Sequence, residues 1–271
     1  MASFFESTVA LSVRRIVYGL LRGVNVFFPR RRNALIILSY HSIAKDAWRF
    51  SVDPEVFRRQ IESLLSEYRP RSLSEASEFL SGKRALDTPS FVVTFDDGYR
   101  DILEVKDFLA EKNIRPAIFV LSDPERADMD ELGTRREFLS VEDILELHRS
   151  GWEVGCHGAT HADMWAMTED QIREETMGAK KKLETELGIP ISYFAYPRGR
   201  YTNVAKRMIR EAGYECALSM DDGFLSDRTD RFVVPRIGVD RTHSFPEFQS
   251  IHTDAAVLFR KCIKKCIGKL L

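Results

Sequence analysis

The chain has 271 residues, a formal net charge of −1, and 44% apolar against 30% charged residues. This length suits one large α/β domain or two small ones, and the composition is that of a soluble globular protein. A net charge so near zero provides no field to draw in nucleic acid, which is excluded as a partner.

Residues 9–28 read as an apolar helix interrupted by Arg14, Arg15 and Arg22, followed by Pro29 and the basic run Arg30, Arg31, Arg32. The arginines leave no charge-free run of about eighteen residues to span a bilayer. No basic region precedes an uninterrupted apolar core, so a cleaved leader is not expected either. An apolar helix studded with arginine suits an anionic membrane surface; packing on the domain is the alternative. Residues 257–271 form a second basic amphipathic segment, and Cys262 and Cys266 there are conceivable acylation sites. With no export signal visible, the expected location is cytoplasmic, with peripheral attachment to the cytoplasmic membrane.

Between these ends, strands and helices alternate. Strands are predicted at 34–39, 90–95, 117–121, 152–156, 193–195, 216–219 and 232–234. Helices are predicted at 54–68, where Asp53 caps and Pro54 opens the first turn, and at 74–80, 101–112, 140–151, 168–187 and 203–212. Residues 122–137 read as a polar loop. The alternation implies a parallel sheet. Polar groups following several different strands favour a barrel of about seven strands over an open sheet with one switch point. The expected organisation is a basic amphipathic segment at 1–33, a catalytic domain at 34–243 and a basic amphipathic helix at 244–271.

The chemistry concentrates at two strand ends. Thr94-Phe95-Asp96-Asp97-Gly98 closes one apolar run, and His157-Gly158-Ala159-Thr160-His161 closes another. Asp-Gly is ordinary turn chemistry and a lone histidine pair is often solvated. Together at the ends of one sheet they can hold a divalent metal with one Asp and two His and an open position, the layout of a hydrolytic site. Two buried carboxylates repel unless a cation or proton sits between them; a metal on Asp97 resolves this and leaves Asp96 as a base. Cys156, beside His157, reads as packing in an alternating strand. Cys156, Cys216, Cys262 and Cys266 lack CxxC spacing and read as free thiols of a reducing compartment. His148 and His252 fall in helical patterns and read as solvated.

These motifs resemble those of the polysaccharide deacetylase family, carbohydrate esterase family 4 (the NodB-homology domain). Residues 94–98 match its first motif. His157-x-x-x-His161 is similar to its second, with Gly158 where Ser or Thr is usual. Phe194-Ala195-Tyr196-Pro197-Arg198-Gly199 resembles the third, in a branch with Ala-Tyr-Pro in place of Arg-x-Pro. Ser39-Tyr40-His41 and Pro235-Arg236-Ile237 resemble flanking features of that branch. The resemblance covers roughly residues 36–240 and implies a deformed (β/α) barrel and metal-dependent removal of an acyl group from an amino sugar.

Carried over by residue, Asp97, His157 and His161 would bind the metal, zinc by default, and Asp96 would be the general base. The backbone N–H of Arg198 would meet the oxyanion, with Tyr196 and His41 near the substrate. The family's base-orienting arginine is absent from the third motif; Arg236 could substitute for it, a surface salt bridge being the alternative. The leaving-group acid is not identified: His243 lies far along a polar segment, and His41 could be acid, substrate contact or a satisfied histidine. The expected substrate is an N-acylated glycan or a lipid-linked amino sugar. The competing readings are hydrolysis of a small cyclic imide or ureide, and a sugar-binding relative without activity.

Overall fold

The computed structural model describes residues 8–25, 34–127, 132 and 136–267. The basic run 30–32, the chain after residue 267 and most of the segment 128–135 lie outside them, as does the side chain of Cys266.

In chain order the described elements are α1 (Thr8–Asn25), β1 (Leu35–Tyr40), β2 (Ser42–Ile43), β3 (Ser51–Val52), α2 (Pro54–Leu65), β4 (Arg69–Pro70), α3 (Leu73–Leu80), β5 (Ser90–Phe95) and α4 (Lys106–Glu111). Then follow β6 (Ala117–Val120), α5 (Val141–Arg149), β7 (Glu153–Cys156), α6 (Glu169–Arg173), α7 (Ala179–Leu187), β8 (Tyr193–Ala195), α8 (Asn203–Glu211), β9 (Cys216–Leu218), β10 (Ile237–Gly238), α9 (Phe245–Ile251) and α10 (Asp254–Ile267). Seven parallel strands run in the order β10-β1-β5-β6-β7-β8-β9, and β4 pairs with the start of β5. This curved sheet with its surrounding helices is the expected deformed barrel.

Both faces of β1 and β5 are buried along their whole length, which is why these strands read as continuous apolar runs. Strand alternation then sorts the side chains. Leu35, Ile37, Val92, Phe119, Ala195 and Leu218 fill the concave interior, while Ile36, Leu38, Phe91, Val93, Ile118 and Phe194 pack under the helices. Gly155 makes room in the interior: a Cβ there would lie 2.5 Å from the Phe119 ring. Continuing the same alternation, Ser39, Thr94, Asp96 and His157 fall on the concave face at the strands' C-terminal ends. Helix α2 follows the predicted logic, with Asp53 accepting from the Glu55 N–H and Phe57, Ile61 and Leu64 forming its buried stripe.

Several expectations are corrected. The strand predicted at 232–234 is a single bridge of Val234 to Leu218, and regular pairing resumes at β10 against β1. One broken segment thus joins the two sheet edges, and Arg236 sits in the break. The helix predicted at 101–112 begins as a 3₁₀ helix, Arg100–Val105, before α4. There Asp101 accepts from the Ser42 hydroxyl and the Ile43 N–H, tying the turn to β2. The helix predicted at 168–187 carries a π turn, Glu174–Gly178, between α6 and α7. His252 is buried rather than solvated, because its Nδ1 lies 3.1 Å from the Tyr68 hydroxyl; His148 is exposed as expected.

The terminal helices meet each other. Helix α1 packs on α9 and α10. Arg14 reaches Glu247 at 2.9 Å and Thr242, and the Tyr18 hydroxyl lies 3.3 Å from Arg260. The expected C-terminal helix is two helices, broken at His252-Thr253.

Candidate active site

Asp96 and Asp97 follow β5 directly, and the backbone turns left-handed at Asp97 (φ 68°) and Gly98 (φ 77°). That reversal sends the two consecutive carboxylates to different partners. His157 follows β7, and His161 closes the next loop with φ 63°. Non-glycine residues rarely take such angles, and they cluster where a site fixes its geometry.

His157 Nε2 and His161 Nε2 lie 3.4 and 3.5 Å from Asp97 Oδ1. Asp97 Oδ1 is buried without a hydrogen-bond partner. Two donors each about 2.0–2.1 Å from one ion at a tetrahedral angle would stand about 3.4 Å apart, so the spacing fits a shared cation. The three donor atoms lie within 4.8 Å of one another. His157 Nδ1 sits 2.8 Å from the Ala195 carbonyl; donating there leaves Nε2 unprotonated and aimed at Asp97. Burial would lower the His157 imidazole, yet the charges of Asp96 and Asp97 hold it above its ordinary value.

Asp96 faces Arg236. Arg236 Nη1 donates to Asp96 Oδ1 at 2.6 Å and Nη2 to Oδ2 at 2.8 Å, a bidentate pair with the arginine 0% exposed. The Ser39 hydroxyl donates to Oδ2 at 3.1 Å. Arg236 is fixed in turn by the Ser219 carbonyl and the Thr94 hydroxyl, and it lies over the Phe119 ring. Burial alone would raise the Asp96 carboxyl; Arg236 and then His157 outweigh it and hold it below the usual carboxylate range.

The other candidates sort differently. His41 follows β1 and is near enough to bear on both the Asp96 and Asp97 carboxyls. It is half-buried, stacks near Phe50, and its Nδ1 has no hydrogen-bond partner. Beside it lies a cavity of about 340 Å³ whose lining includes Arg14, Tyr18, Arg49, Met220 and Arg260, so α1 forms one wall. Arg198 stands in a left-handed turn after β8 (φ 58°) with its guanidinium 3.8 Å from Asp163. Tyr196 is corrected: its side chain is fully buried and its hydroxyl donates to the Phe232 carbonyl at 3.0 Å, leaving no surface for a substrate. His243 pairs with Asp240 at 3.1 Å. Burial pushes the Cys156 thiol up to about 12, as a packing residue requires.

Sequence reasoning missed Tyr99 and Glu175. The Tyr99 hydroxyl is buried without a hydrogen-bond partner, and burial and the nearby Asp97 charge push the phenol well above its ordinary range; nothing in Gly98-Tyr99 signals that environment. Glu175 lies among charged helix residues that all look alike in sequence.

The family model for polysaccharide deacetylase matches residues 83–217. The Bacillus subtilis protein YxkH is 23% identical over 207 residues, 76% of this chain and 71% of its own length. The poly-β-1,6-N-acetyl-D-glucosamine N-deacetylase of Escherichia coli K12 is 22% identical over 260 residues, 81% of this chain but only 38% of that protein. The structure of the Streptococcus pyogenes deacetylase PplD in complex with acetate superposes with a TM-score of 0.70 at 21% identity, covering 83% of this chain and 100% of that one. A deformed barrel with paired aspartates and paired histidines at its strand ends defines a class of hydrolase. The chain belongs to the polysaccharide deacetylase family.

Proposed function

We propose that the protein is a metal-dependent N-deacetylase that removes the acetyl group from an amino sugar in an N-acetylated glycan. The observation that carries this is the division of the two aspartates, Asp97 grouped with His157 and His161, and Asp96 gripped by Arg236. The Escherichia coli relative acts, by its name, on poly-β-1,6-N-acetyl-D-glucosamine, and a glycan of that kind is the first substrate to test.

Asp97, His157 and His161 would hold the ion, with zinc the expected metal for mixed nitrogen and oxygen ligands. When bound, it would supply Lewis-acid polarisation of the acetamide carbonyl and a lowered pKa for its water. Asp96 is kept ionised by Arg236 and accepts the attacking water's proton. Its Oδ2 already accepts two hydrogen bonds and Oδ1 accepts one, so Oδ1 keeps the open lone pair. His41, near both carboxylates yet outside the metal set, donates the proton that the departing amine needs. The backbone N–H of Arg198 contributes to holding the oxyanion.

Attachment to an anionic membrane is the second part of the proposal. Helix α1 turns Arg14 and Tyr18 to the domain, while Val13, Ile16 and Leu20 are 54%, 65% and 67% exposed on another face beside exposed Arg15. No described helix is long and apolar enough to cross a membrane. An interfacial helix on an anionic leaflet accommodates both observations, and would bring the site to a glycan or lipid-linked sugar there.

Acetate release from N-acetylated β-1,6-glucosamine oligosaccharides, measured before and after chelation and again after Zn²⁺ or Co²⁺ is restored, tests the enzymatic reading. Release that survives complete metal removal, or no release from any N-acetylated glycan tried, overturns it.

A further inference from the structure

We infer that Glu175 is a positioning residue for the loop that carries the two histidines, an inference that rests on the metal reading above. Glu175 is 5% exposed. Its Oε2 accepts the backbone N–H groups of Ala159 and Thr160 at 2.7 and 3.1 Å, and its Oε1 accepts the Thr160 hydroxyl at 2.6 Å. All of these donors belong to the three residues between His157 and His161.

The third, Gly158, has φ +86°, and a Cβ there would lie 2.7 Å from Glu175 Oε2. The missing side chain at position 158, where the family's second motif has a hydroxyl residue, is the space this carboxylate enters.

The loop is held from its other side as well. The Ser122 and Asp123 N–H groups donate to the Gly158 and Ala159 carbonyls at 3.1 and 2.9 Å. Carbonyls are thus pinned by the exit of β6 and N–H groups by Glu175. His157 has its own anchor on the Ala195 carbonyl. His161 follows the clamp directly, in a left-handed conformation, so the loop's course sets where its ring enters the site.

The support for Glu175 is itself specialised. It lies in the π turn, a local widening seen frequently at functional sites. The Thr176 hydroxyl donates to the Ile172 carbonyl at 2.7 Å, and the Tyr214 hydroxyl donates to the Thr176 carbonyl at 3.1 Å, satisfying groups that the widened turn disturbs. A buried carboxylate is costly unless donors compensate it, and here those donors are the metal loop's own.

The test titrates chelator-stripped full-length protein with Zn²⁺ in a competition assay and with Co²⁺ by its visible absorption, alongside thermal melts of the metal-free protein. Glu175→Ala should bind Zn²⁺ roughly 10- to 100-fold more weakly, the range for groups that orient metal ligands, with an altered Co²⁺ spectrum. Glu175→Gln keeps one acceptor oxygen and should recover most of the affinity. Thr160→Val, which removes a single donor and serves if Glu175→Ala does not fold, should lose several-fold. Wild-type affinity and an unchanged Co²⁺ spectrum in folded Glu175→Ala, or wild-type affinity in Thr160→Val where Glu175→Ala is unfolded, overturns the proposal. Asp97→Ala is the control: if it binds Zn²⁺ as wild type does, or if wild type binds none, the metal reading fails and takes this inference with it.

Discussion

Arg236 and Asp96 stand 140 residues apart in the chain and form a bidentate pair at 2.6 and 2.8 Å, both buried at the mouth of the barrel. The pair exists because the last strand breaks between Val234 and Ile237 and turns Arg236 inward. It gives the Asp96 carboxylate a fixed orientation and a lowered pKa together.

Replacing Arg236 therefore acts on both rate and stability. The base proposed here works ionised, so activity should be lost as pH falls through the Asp96 pKa. Without the guanidinium, burial raises that pKa, and the acid limb of the rate profile should move to higher pH in Arg236→Met. The stability term has the same sign. The Asp96 pKa is depressed in the fold, so its contribution is present above the ordinary carboxylate range and lost as pH falls through the lowered value. Leaving a buried carboxylate unpaired costs about 3–5 kcal/mol, read by denaturant melts at neutral pH. Arg236→Lys keeps the charge but not the fork and should fall between. An unmoved acid limb in Arg236→Met would refute the pairing's role.

The two aspartates should separate cleanly. Asp96→Asn should retain metal while turnover falls by about 10²–10⁴-fold. Asp97→Asn, His157→Ala and His161→Ala should each lose metal content together with activity. Metal analysis of the four variants decides it: loss of metal in Asp96→Asn with retention in Asp97→Asn would reverse the assignment.

His41→Gln should keep its metal and lose turnover on acetamido sugars. An activated aryl acetate has a leaving group that needs no proton, so its hydrolysis should suffer far less. Equal losses on both substrates would make His41 a contact rather than the acid.

Gly155→Ala tests the barrel interior. Its Cβ would lie 2.5 Å from the Phe119 ring and 3.0 Å from the Tyr193 carbonyl, and strand backbone cannot easily retreat. A loss of about 1–3 kcal/mol is expected from such overpacking, measured by chemical denaturation.

The exposed face of α1 should be separable from the fold. Changing Val13, Ile16 and Leu20 together to Ser leaves the Arg14–Glu247 contact intact, so the melting temperature should hold while flotation with anionic vesicles is lost. Full-length protein that stays off such vesicles at low salt would end the membrane proposal.

The sequence by itself determined the alternation of strands and helices, because apolar runs, caps and periodicity are local properties of a few neighbouring residues. It also exposed Asp96-Asp97 and the histidine pair, since ligands supplied within one turn must be close in sequence. What only the tertiary structure decided is non-local. Resemblance made Arg236 a candidate to orient Asp96, and the structure pairs the two, but only the fold shows that a broken strand aims it there. Nothing in residues 168–187 marks Glu175 as the acid that turns inward through a π turn. His252 looked solvated because its partner, Tyr68, lies on a distant segment, and Tyr196 looked available because its burial depends on how the end of β8 packs. In each case a charged or polar group's environment is set by which distant donors, rings and carbonyls the barrel brings against it, and folding settles those contacts all at once.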